Sequence, residues 1–277
     1  MLQSGRIGNN PKIQKSIGNL LYSQDIAFVG SGEIDSTTPV LLSPTTQNQA
    51  LPVYTPQSTD TTIYFASESS NDTLLGTGAQ ILGIAGLDVN GLVASQTIQM
   101  NGKTPVASTI FSKVLEIAPL VIGTNTDADT GDAIFEGNIW AGYGSFSSGI
   151  PQYPIVGIRP QDNLLDTRTA ITTIPADKLG FVKSILAFVE PDLIRNERGY
   201  IQLAYRFPGF PDNVWFKTPE YVFNGTYYYL FDSPAPLPPL TDVQVRARVD
   251  GNFSKKITCE VAIEWRQLVW SLMDYLK

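Results

Sequence analysis

The stretch Asp242-Val-Gln-Val-Arg-Ala-Arg-Val-Asp250 alternates apolar and polar residues without a break. In a β-strand successive side chains point to opposite faces, so Val243, Val245, Ala247 and Val249 would share one face. The glutamine, the two arginines and the final aspartate would share the other face. A period of two over eight residues is typical of a strand with one face toward a core.

Short β-type runs continue on both sides of this stretch and are separated by turn residues. Runs at this spacing favour a jelly roll or a related sandwich. The runs in the second part of the chain are 170–174, 180–189, 199–207, 213–216, 221–223, 227–231, 242–249 and 256–265. Only residues 267–276 have apolar residues at helical spacing, which predicts a short C-terminal helix.

A first β series precedes the glycine-rich stretch 142–149. Asn90-Gly91 and Asn101-Gly102 predict hairpins, because both residue types tolerate the positive φ of a type I′ turn. Between them Ser95, Thr97 and Gln99 alternate with Gln96, Ile98 and Met100, which again predicts a half-buried strand. We therefore expect a first β module over 58–166 and a second, jelly-roll-like module with a C-terminal tail over 167–277.

Residues 1–57 differ from both modules. Pro39, Pro44, Pro52 and Pro56 interrupt any helix or inner strand that might form there. We expect an extended N-terminal arm that is ordered by a neighbouring subunit, and the alternative is a terminus with no partner. The predicted fold is all-β: an antiparallel β-sandwich, jelly-roll-like, with two β modules and an extended arm.

Composition removes several kinds of chemistry from the 277-residue chain. It contains no histidine, which excludes Ser-His-Asp and Cys-His nucleophile systems and imidazole metal ligands. The single cysteine, Cys259, can form no intramolecular disulfide and supplies no zinc site. We expect a protein without enzymatic activity and without a cofactor.

Charge and hydropathy bear on partners and location. Residues 1–150 carry five Lys or Arg against twelve Asp or Glu, so nucleic acid is not an expected partner. Residues 1–10 contain no apolar run of the signal-peptide type, and no apolar run reaches membrane-spanning length. We therefore expect no membrane association and assembly in the cytoplasm.

One stretch has the composition of a metal site. Counted from Asn125, the carboxylates Asp127, Asp129, Asp132 and Glu136 fall at positions 3, 5, 8 and 12 of an EF-hand-like loop. The glycine, however, is at position 7 rather than 6, and the flanks have the pattern of strands. Calcium is one interpretation, and an acidic hairpin turn is the favoured one.

Aromatic residues cluster in the second module. Trp215, Tyr221, Tyr227, Tyr228 and Tyr229 could stack on sugar rings or contact another subunit. Alternation along a strand would place half of them in the core.

Glycoside hydrolysis needs no histidine, so a carboxylate pair remains an enzymatic alternative. Glu190, Asp192 and Glu197, or Glu260 and Glu264, are the candidates for such a pair.

Two segments near the middle resemble virion structural proteins of tailed phages, especially aquatic ones. The segments are Ser69-Ser-Asn-Asp-Thr-Leu-Leu-Gly-Thr-Gly-Ala-Gln-Ile-Leu-Gly-Ile-Ala-Gly-Leu-Asp88 and Gln96-Thr-Ile-Gln-Met-Asn-Gly-Lys-Thr-Pro-Val-Ala-Ser108. Ile174-Pro-Ala-Asp-Lys-Leu-Gly-Phe-Val182 is similar to a later element of that family. Lys103 stands where the family usually has threonine, and Gln96 where it commonly has an acidic residue.

The resemblance implies a structural subunit of the virion, assembled in the host cytoplasm. Its partners would be other virion proteins, in the capsid or in the neck and tail, and further copies of itself. The role would be head decoration or cement, or a part of the neck or tail. The alternatives are a receptor-binding module that holds host glycan and, second, a carboxylate-based glycosidase or depolymerase.

Overall fold

A computed structural model describes residues 23–34, 38–41, 62–126, 128, 131, 133–158, 160, 170–189, 198–211, 214–250 and 255–267. Of residues 23–33, 40, 41 and 255 only the backbone is described. The described residues form eighteen strands and no α-helix, and every strand pair is antiparallel. No helix in this part of the chain has the length and apolar character needed to cross a membrane. The predicted all-β, antiparallel sandwich class is confirmed.

The strands of the first half are β1 (Ser23–Ile34), β2 (Val40–Leu41), β3 (Ile63–Ser67), β4 (Ala79–Asp88), β5 (Val93–Gln99), β6 (Val106–Ser108), β7 (Phe111–Ile122), β8 (Ile139–Ser147) and β9 (Ile150–Ile158). Those of the second half are β10 (Ile171–Thr173), β11 (Lys178–Val189), β12 (Gly199–Arg206), β13 (Phe216–Lys217), β14 (Tyr221–Phe223), β15 (Thr226–Leu230), β16 (Pro236–Leu237), β17 (Asp242–Val249) and β18 (Lys255–Gln267).

Strands β3 to β9 form the first sandwich. One sheet has the order β6-β3-β8-β9 and the other the order β5-β4-β7. Both sheets contribute side chains to one core, which contains Ile63, Phe65, Leu82, Ile84, Ile98, Met100, Val114, Ile117, Ile139 and Val156 among others. The alternation predicted for β5 is confirmed, because Ser95, Thr97 and Gln99 are exposed whereas Ile98 and Met100 are buried.

Strands β10 to β18, together with β1 and β2, form the second sandwich. One sheet has the order β1-β18-β11-β15, and the other contains β10-β17-β12-β13 with β2 and β14 at its margins. The facing sides meet in a core that includes Val182, Ile185, Val189, Ile201, Leu203, Val243, Val245, Val249, Ile257, Val261 and Ile263. Val243, Val245, Ala247 and Val249 are all buried, as the alternation of this stretch predicts.

The predicted arm contains a strand of the chain's own second sandwich. Strand β1 pairs with β18 along its whole length, from Ser23 opposite Arg266 to Ile34 opposite Lys255. Strand β2 pairs with β17. Ile34 is fully buried in the core of the second sandwich. This part of 1–57 is therefore extended and lies against the same chain, whereas residues 1–22 lie outside the described residues. The helix predicted over 267–276 is wrong at its first residue, because Gln267 is the last residue of β18, and residues 268–276 lie outside the described residues.

The two predicted hairpins have different outcomes. Asn90-Gly91 does connect the paired strands β4 and β5, and the Gly91 N–H donates to the Asp88 carbonyl over 2.9 Å. Only Gly91 has a positive φ, 74°, so the turn is not type I′. Asn101-Gly102 is not a hairpin, because β5 pairs with β4 whereas β6 pairs with β3 in the other sheet. A turn-forming sequence determines the local bend of the chain, but it does not determine which strand the following strand pairs with.

Truncation of a central core side chain tests this architecture. Ile263 is fully buried in β18, between β1 and β11. We expect Ile263→Ala to lower the free energy of unfolding by about 2–5 kcal/mol, through lost burial and the cavity that remains. Denaturant unfolding measures this. The matched control is Glu260→Ala on the exposed side of the same strand, for which we expect a change within about 0.5 kcal/mol. Equal effects of the two variants would contradict the assigned faces of β18.

Candidate functional site

The aromatic residues of β15 divide between two faces of the sheet. Tyr228 lies opposite Leu186 of β11, points away from the core and is 62% exposed. Tyr227 and Tyr229 point the other way, toward Tyr221 of β14 in the facing sheet. The single-residue alternation of a strand produces this division.

The inward-facing tyrosines form an aromatic cluster at the open edge of the second sandwich. The ring of Tyr221 lies 5.8 Å from that of Tyr227 and 5.7 Å from that of Tyr229, measured between ring centres. Tyr229 also meets Phe231 edge to face at 4.8 Å. Burial raises the pKa of Tyr221 and of Tyr227, so both hydroxyls stay neutral at physiological pH. This arrangement closes the edge of the core by aromatic packing.

Trp215 lies in a different environment. The guanidinium carbon of Arg206 is 5.5 Å from the centre of its ring, a cation–π distance. The next residue, Phe216, packs against Phe207 and Phe210 at 5.3 and 5.1 Å. The five predicted binding aromatics thus occupy three places: Trp215 beside Arg206, the Tyr221-Tyr227-Tyr229 cluster, and Tyr228 on the outer face.

The outer face of β11 and β15 carries exposed apolar side chains beside Tyr228. Leu186 is 42% exposed, Phe188 46% and Leu230 53%. The strand register places Leu186 directly opposite Tyr228, with Phe188 and Leu230 one step away along their strands. Contiguous exposed apolar residues of this kind mark surfaces that contact other molecules.

The calcium loop is only partly described. Asp127, Asp129 and Asp132 lie outside the described residues, so the metal site stays a prediction. Glu136 is described, and its carboxylate accepts hydrogen bonds from Thr77 Oγ1, from Asn71 Nδ2 at 2.7 Å and from Ser69 Oγ at 3.2 Å. These bonds, led by that of Thr77, lower the pKa of Glu136. Among the described residues, no group of three or more acidic or cysteine side chains is placed to hold a metal ion.

Asp72, near the start of the segment 69–88, is fully buried. Its carboxylate accepts four hydrogen bonds: from Ser67 Oγ at 2.5 Å, and from the backbone N–H groups of Ala79, Gly137 and Glu136 at 2.6, 2.9 and 3.1 Å. A carboxylate with this many donors can be buried at low cost. Asp72 therefore joins the turn after β3, the start of β4 and the approach to β8.

The glycines around Asp72 are required by this close packing. A Cβ atom on Gly78 would stand 2.0 Å from Asp72 Oδ1, and one on Gly76 would stand 1.9 Å from the Asn71 carbonyl oxygen. A Cβ atom on Gly137 would stand 2.3 Å from the Ser69 nitrogen. The sequence Asn71-Asp-Thr followed by Gly76-Thr-Gly-Ala79 is thus a chain turn folded tightly around one buried carboxylate. Sequence reasoning assigned turn residues here and missed the carboxylate, although an aspartate beside closely spaced glycines was the available signal.

A second buried carboxylate, Asp242, lies where the two sandwiches meet. It is 3% exposed and accepts hydrogen bonds from Thr173 Oγ1 at 2.5 Å and from Arg206 Nε at 2.7 Å. Lys113, on β7 of the first sandwich, forms an ion pair with the same carboxylate. The Ala176 N–H also donates to the Gly91 carbonyl over 2.8 Å. The carboxylate therefore links charged groups from both sandwiches, and sequence reasoning did not identify it.

The carboxylates considered for glycoside hydrolysis are not paired where they are described. Glu260 is exposed and Glu264 is fully buried, and the latter forms ion pairs with Arg266 at 2.7 Å and Lys183 at 3.4 Å. Four residues of strand separate their Cα atoms, which is about 13 Å. Glu190, Asp192 and Glu197 lie outside the described residues.

No family model and no curated protein matches the chain. A structure of infectious bursal disease virus Gt strain matches with a TM-score of 0.24 and 9% identity, over 89% of this chain and 72% of that chain. The Gx strain gives 0.22 and 8%, over 91% and 78%. The VP2 subviral particle of the same virus gives 0.20 and 9%, over 89% and 72%. TM-scores this low do not establish a common fold.

Removal of the buried carboxylate tests its structural role. We expect Asp72→Ala to lower the free energy of unfolding by about 3 kcal/mol or more, because three backbone N–H groups and a hydroxyl lose their acceptor. The control is Asp88→Ala, which removes a half-buried aspartate whose solvent-exposed hydrogen bonds come from the N–H groups of Asn90 and Leu92. We expect about 1 kcal/mol for that variant. Denaturant unfolding compares the two, and an Asp72 variant as stable as the Asp88 variant would contradict the assignment.

Proposed function

We propose that this chain is a non-enzymatic structural subunit of a tailed-phage virion. It assembles through its two β modules and the N-terminal segment 1–57, as a head decoration or cement protein or as a component of the neck or tail. Its partners are other virion proteins and further copies of the same chain. It is assembled in the host cytoplasm and resides in the virion.

The observation that carries this proposal is the structural role of the phage-like segment 69–88 in the first sandwich. Asp72, Gly76, Gly78 and Ala79 all take part in the tight turn around the buried carboxylate. Each of these residues is accounted for by packing and hydrogen bonding inside the first sandwich. A segment whose characteristic residues stabilise a fold suits a protein that acts through its shape and contacts.

The placement of charge supports the same role. Asp242 and Glu264 are buried and paired with basic side chains, and Glu220 is paired with Arg248 over 2.7 Å. In that last pair, hydrogen bonds from Arg248 lower the pKa of Glu220, so the carboxylate remains ionised and bound. Ion pairs with satisfied partners hold strands in a fixed arrangement, which a subunit of a large assembly requires.

The direct test is the protein composition of purified particles. Peptides of this chain are expected in density-purified particles of the phage that encodes it, in several copies per particle. Peptide mass spectrometry with labelled standards measures the copy number, and a non-structural protein of the same phage serves as the negative control. Antibody labelling in the electron microscope then distinguishes head from neck and tail. Peptides found in the infected-cell lysate but not in the particles would contradict the proposal.

A second candidate function follows from the exposure of Tyr228. With 62% of its surface exposed beside Leu186 and Leu230, it could stack on a sugar of a host glycan. We expect any glycan bound on an array to lose about fivefold or more in affinity in Tyr228→Ala, because one aromatic stacking contact contributes about 1 kcal/mol or more. Trp215→Ala, on a different surface, is the control. A blank array, or equal losses in both variants, would count against this function.

A further inference from the structure

Strand β1 is a long edge strand with one side unpaired among the described residues. Its twelve residues pair with β18 in unbroken register, and no other described strand lies on its far side. In an antiparallel ladder every second residue directs its N–H and C=O away from the neighbouring strand. The outer edge of β1 therefore presents a regular row of donors and acceptors over the length of the strand.

The other described edges lack this combination of length and regularity. Strand β7 is as long but contains Pro119, and its register with β4 shifts at several points. Strand β9 contains Pro151 and Pro154. The opposite edge of the same sheet, β15, has five residues, and β5 has seven. Prolines, bulges and short length are the devices that protect sheet edges from pairing, and β1 has none of them.

The sequence of β1 is also permissive for pairing. Its charged residues are Asp25 and Glu33, near its two ends. The seven residues between them, Ile-Ala-Phe-Val-Gly-Ser-Gly, contain no charge and no proline. Charged residues and prolines are what natural proteins place on a free edge to prevent association with another chain. The composition of β1 thus fits a strand that acquires a second neighbour.

We propose that the outer edge of β1 pairs antiparallel with β1 of a second copy of this chain, about a twofold axis. The second copy is the partner that matches the edge in length, twelve residues against twelve, whereas pairing with β15 would use five. Antiparallel pairing of identical strands is self-complementary and closes after two copies. The two sheets then form one continuous sheet across the dimer, an association by β-strand addition.

Symmetry restricts the register of this pair. Opposed residues alternate between hydrogen-bonded and non-hydrogen-bonded pairs along an antiparallel ladder. A twofold axis makes the two pairs that flank it equivalent, so one residue must lie opposite its own copy at the axis. Near the middle of the strand, that residue is Ala27, Phe28 or Val29.

The opposed charges and the number of paired residues distinguish the three possible centres. A centre at Val29 places Asp25 directly opposite Glu33 of the other copy, twice per dimer, and like charges at opposed positions destabilise a sheet. A centre at Ala27 leaves the last residues of β1 without partners in the other strand. A centre at Phe28 pairs residues 23–33 completely and places both acidic residues opposite serines. We therefore assign the axis to Phe28.

The chain's own cysteine does not interfere with a disulfide cross-linking test of this contact. Cys259 is fully buried, and burial raises the pKa of its thiol to about 12. A thiol of this kind forms almost no thiolate at neutral pH and does not react. Cysteines introduced at positions 27 and 29, which lie opposite Ala262 and the exposed Glu260 on the outer face of the sheet, are therefore the reactive ones.

The test is oxidative cross-linking of the full chain carrying Ala27→Cys, Val29→Cys or both. Phe28 is left unchanged, because it lies opposite the buried Val261 and so on the core face of the sheet. In the assigned register Ala27 of one copy lies opposite Val29 of the other, with Cα atoms about 5 Å apart, within disulfide range. The two copies of residue 27, and those of residue 29, lie about 8 Å apart, beyond that range. We expect Ala27→Cys/Val29→Cys to yield at least about tenfold more covalent dimer than either single variant.

Two measurements on the unmodified chain keep the test decisive if a variant misfolds. Light scattering during size-exclusion chromatography should show a dimer whose fraction rises with concentration. Hydrogen exchange should show protection of residues 23–34 that rises in parallel. A monomer at all concentrations, or protection independent of concentration, would overturn the proposal, because the edge would then be covered by the chain itself or by nothing. Cross-linking of Ala27→Cys alone or Val29→Cys alone that is as efficient as that of the double variant would overturn the register.

This contact deepens the proposed assembly role and rests on the homo-oligomeric part of it. The two are tested on different material. A monomeric chain found in purified particles would refute the β1 contact alone, and a cross-linked dimer absent from particles would refute the virion role alone.

Discussion

The backbone hydrogen bonds of an all-β chain must come from neighbouring strands, and in the second sandwich the two longest ladders both contain β18. Its thirteen residues pair with β1 on one side and β11 on the other. The partners lie at 23–34 and 178–189, so residues from the beginning and the end of the described chain meet in one ladder. Pairing over such separations has a high loop-closure cost, which burial of Ile257, Val261 and Ile263 must offset.

Buried carboxylates set the positions of elements that strand pairing alone leaves free. Asp72 joins three segments of the first sandwich through three backbone N–H donors, and Asp242 joins both sandwiches through Lys113 and Arg206. Each carboxylate is costly to bury without its donors, so an alternative arrangement that separated them would be disfavoured. Apolar contacts tolerate small shifts in the positions of the packed segments, whereas these hydrogen bonds do not. The hydrogen bonds therefore define how the segments are arranged.

Sequence periodicity predicted the strands well where one face is buried and the other polar. The stretch 242–249 is β17 without a shift at either end, and 221–223 is β14. The alternation did not predict that part of the other face of β17 is also covered, where Gln244 is 6% exposed and Asp242 is buried. Both lie beside β10, at the end of the sheet that meets the first sandwich. A neighbouring sandwich can cover a polar face of a strand, and the local sequence pattern of that strand cannot predict this.

The sequence by itself determined the fold class, the alternation of each strand and the absence of imidazole chemistry, since these depend on residue type and on spacing within a few residues. Only the tertiary structure decided which strands pair, that part of the predicted arm is a strand of the second sandwich, and that Tyr228, rather than Tyr227 and Tyr229, lies on the outer face. It also decided the role of Asp72, whose donors lie seven and about sixty-five residues away. The physical reason is that every strand edge offers the same backbone donors and acceptors. The choice among partners is made by packing and buried charge contributed by residues far apart in the chain.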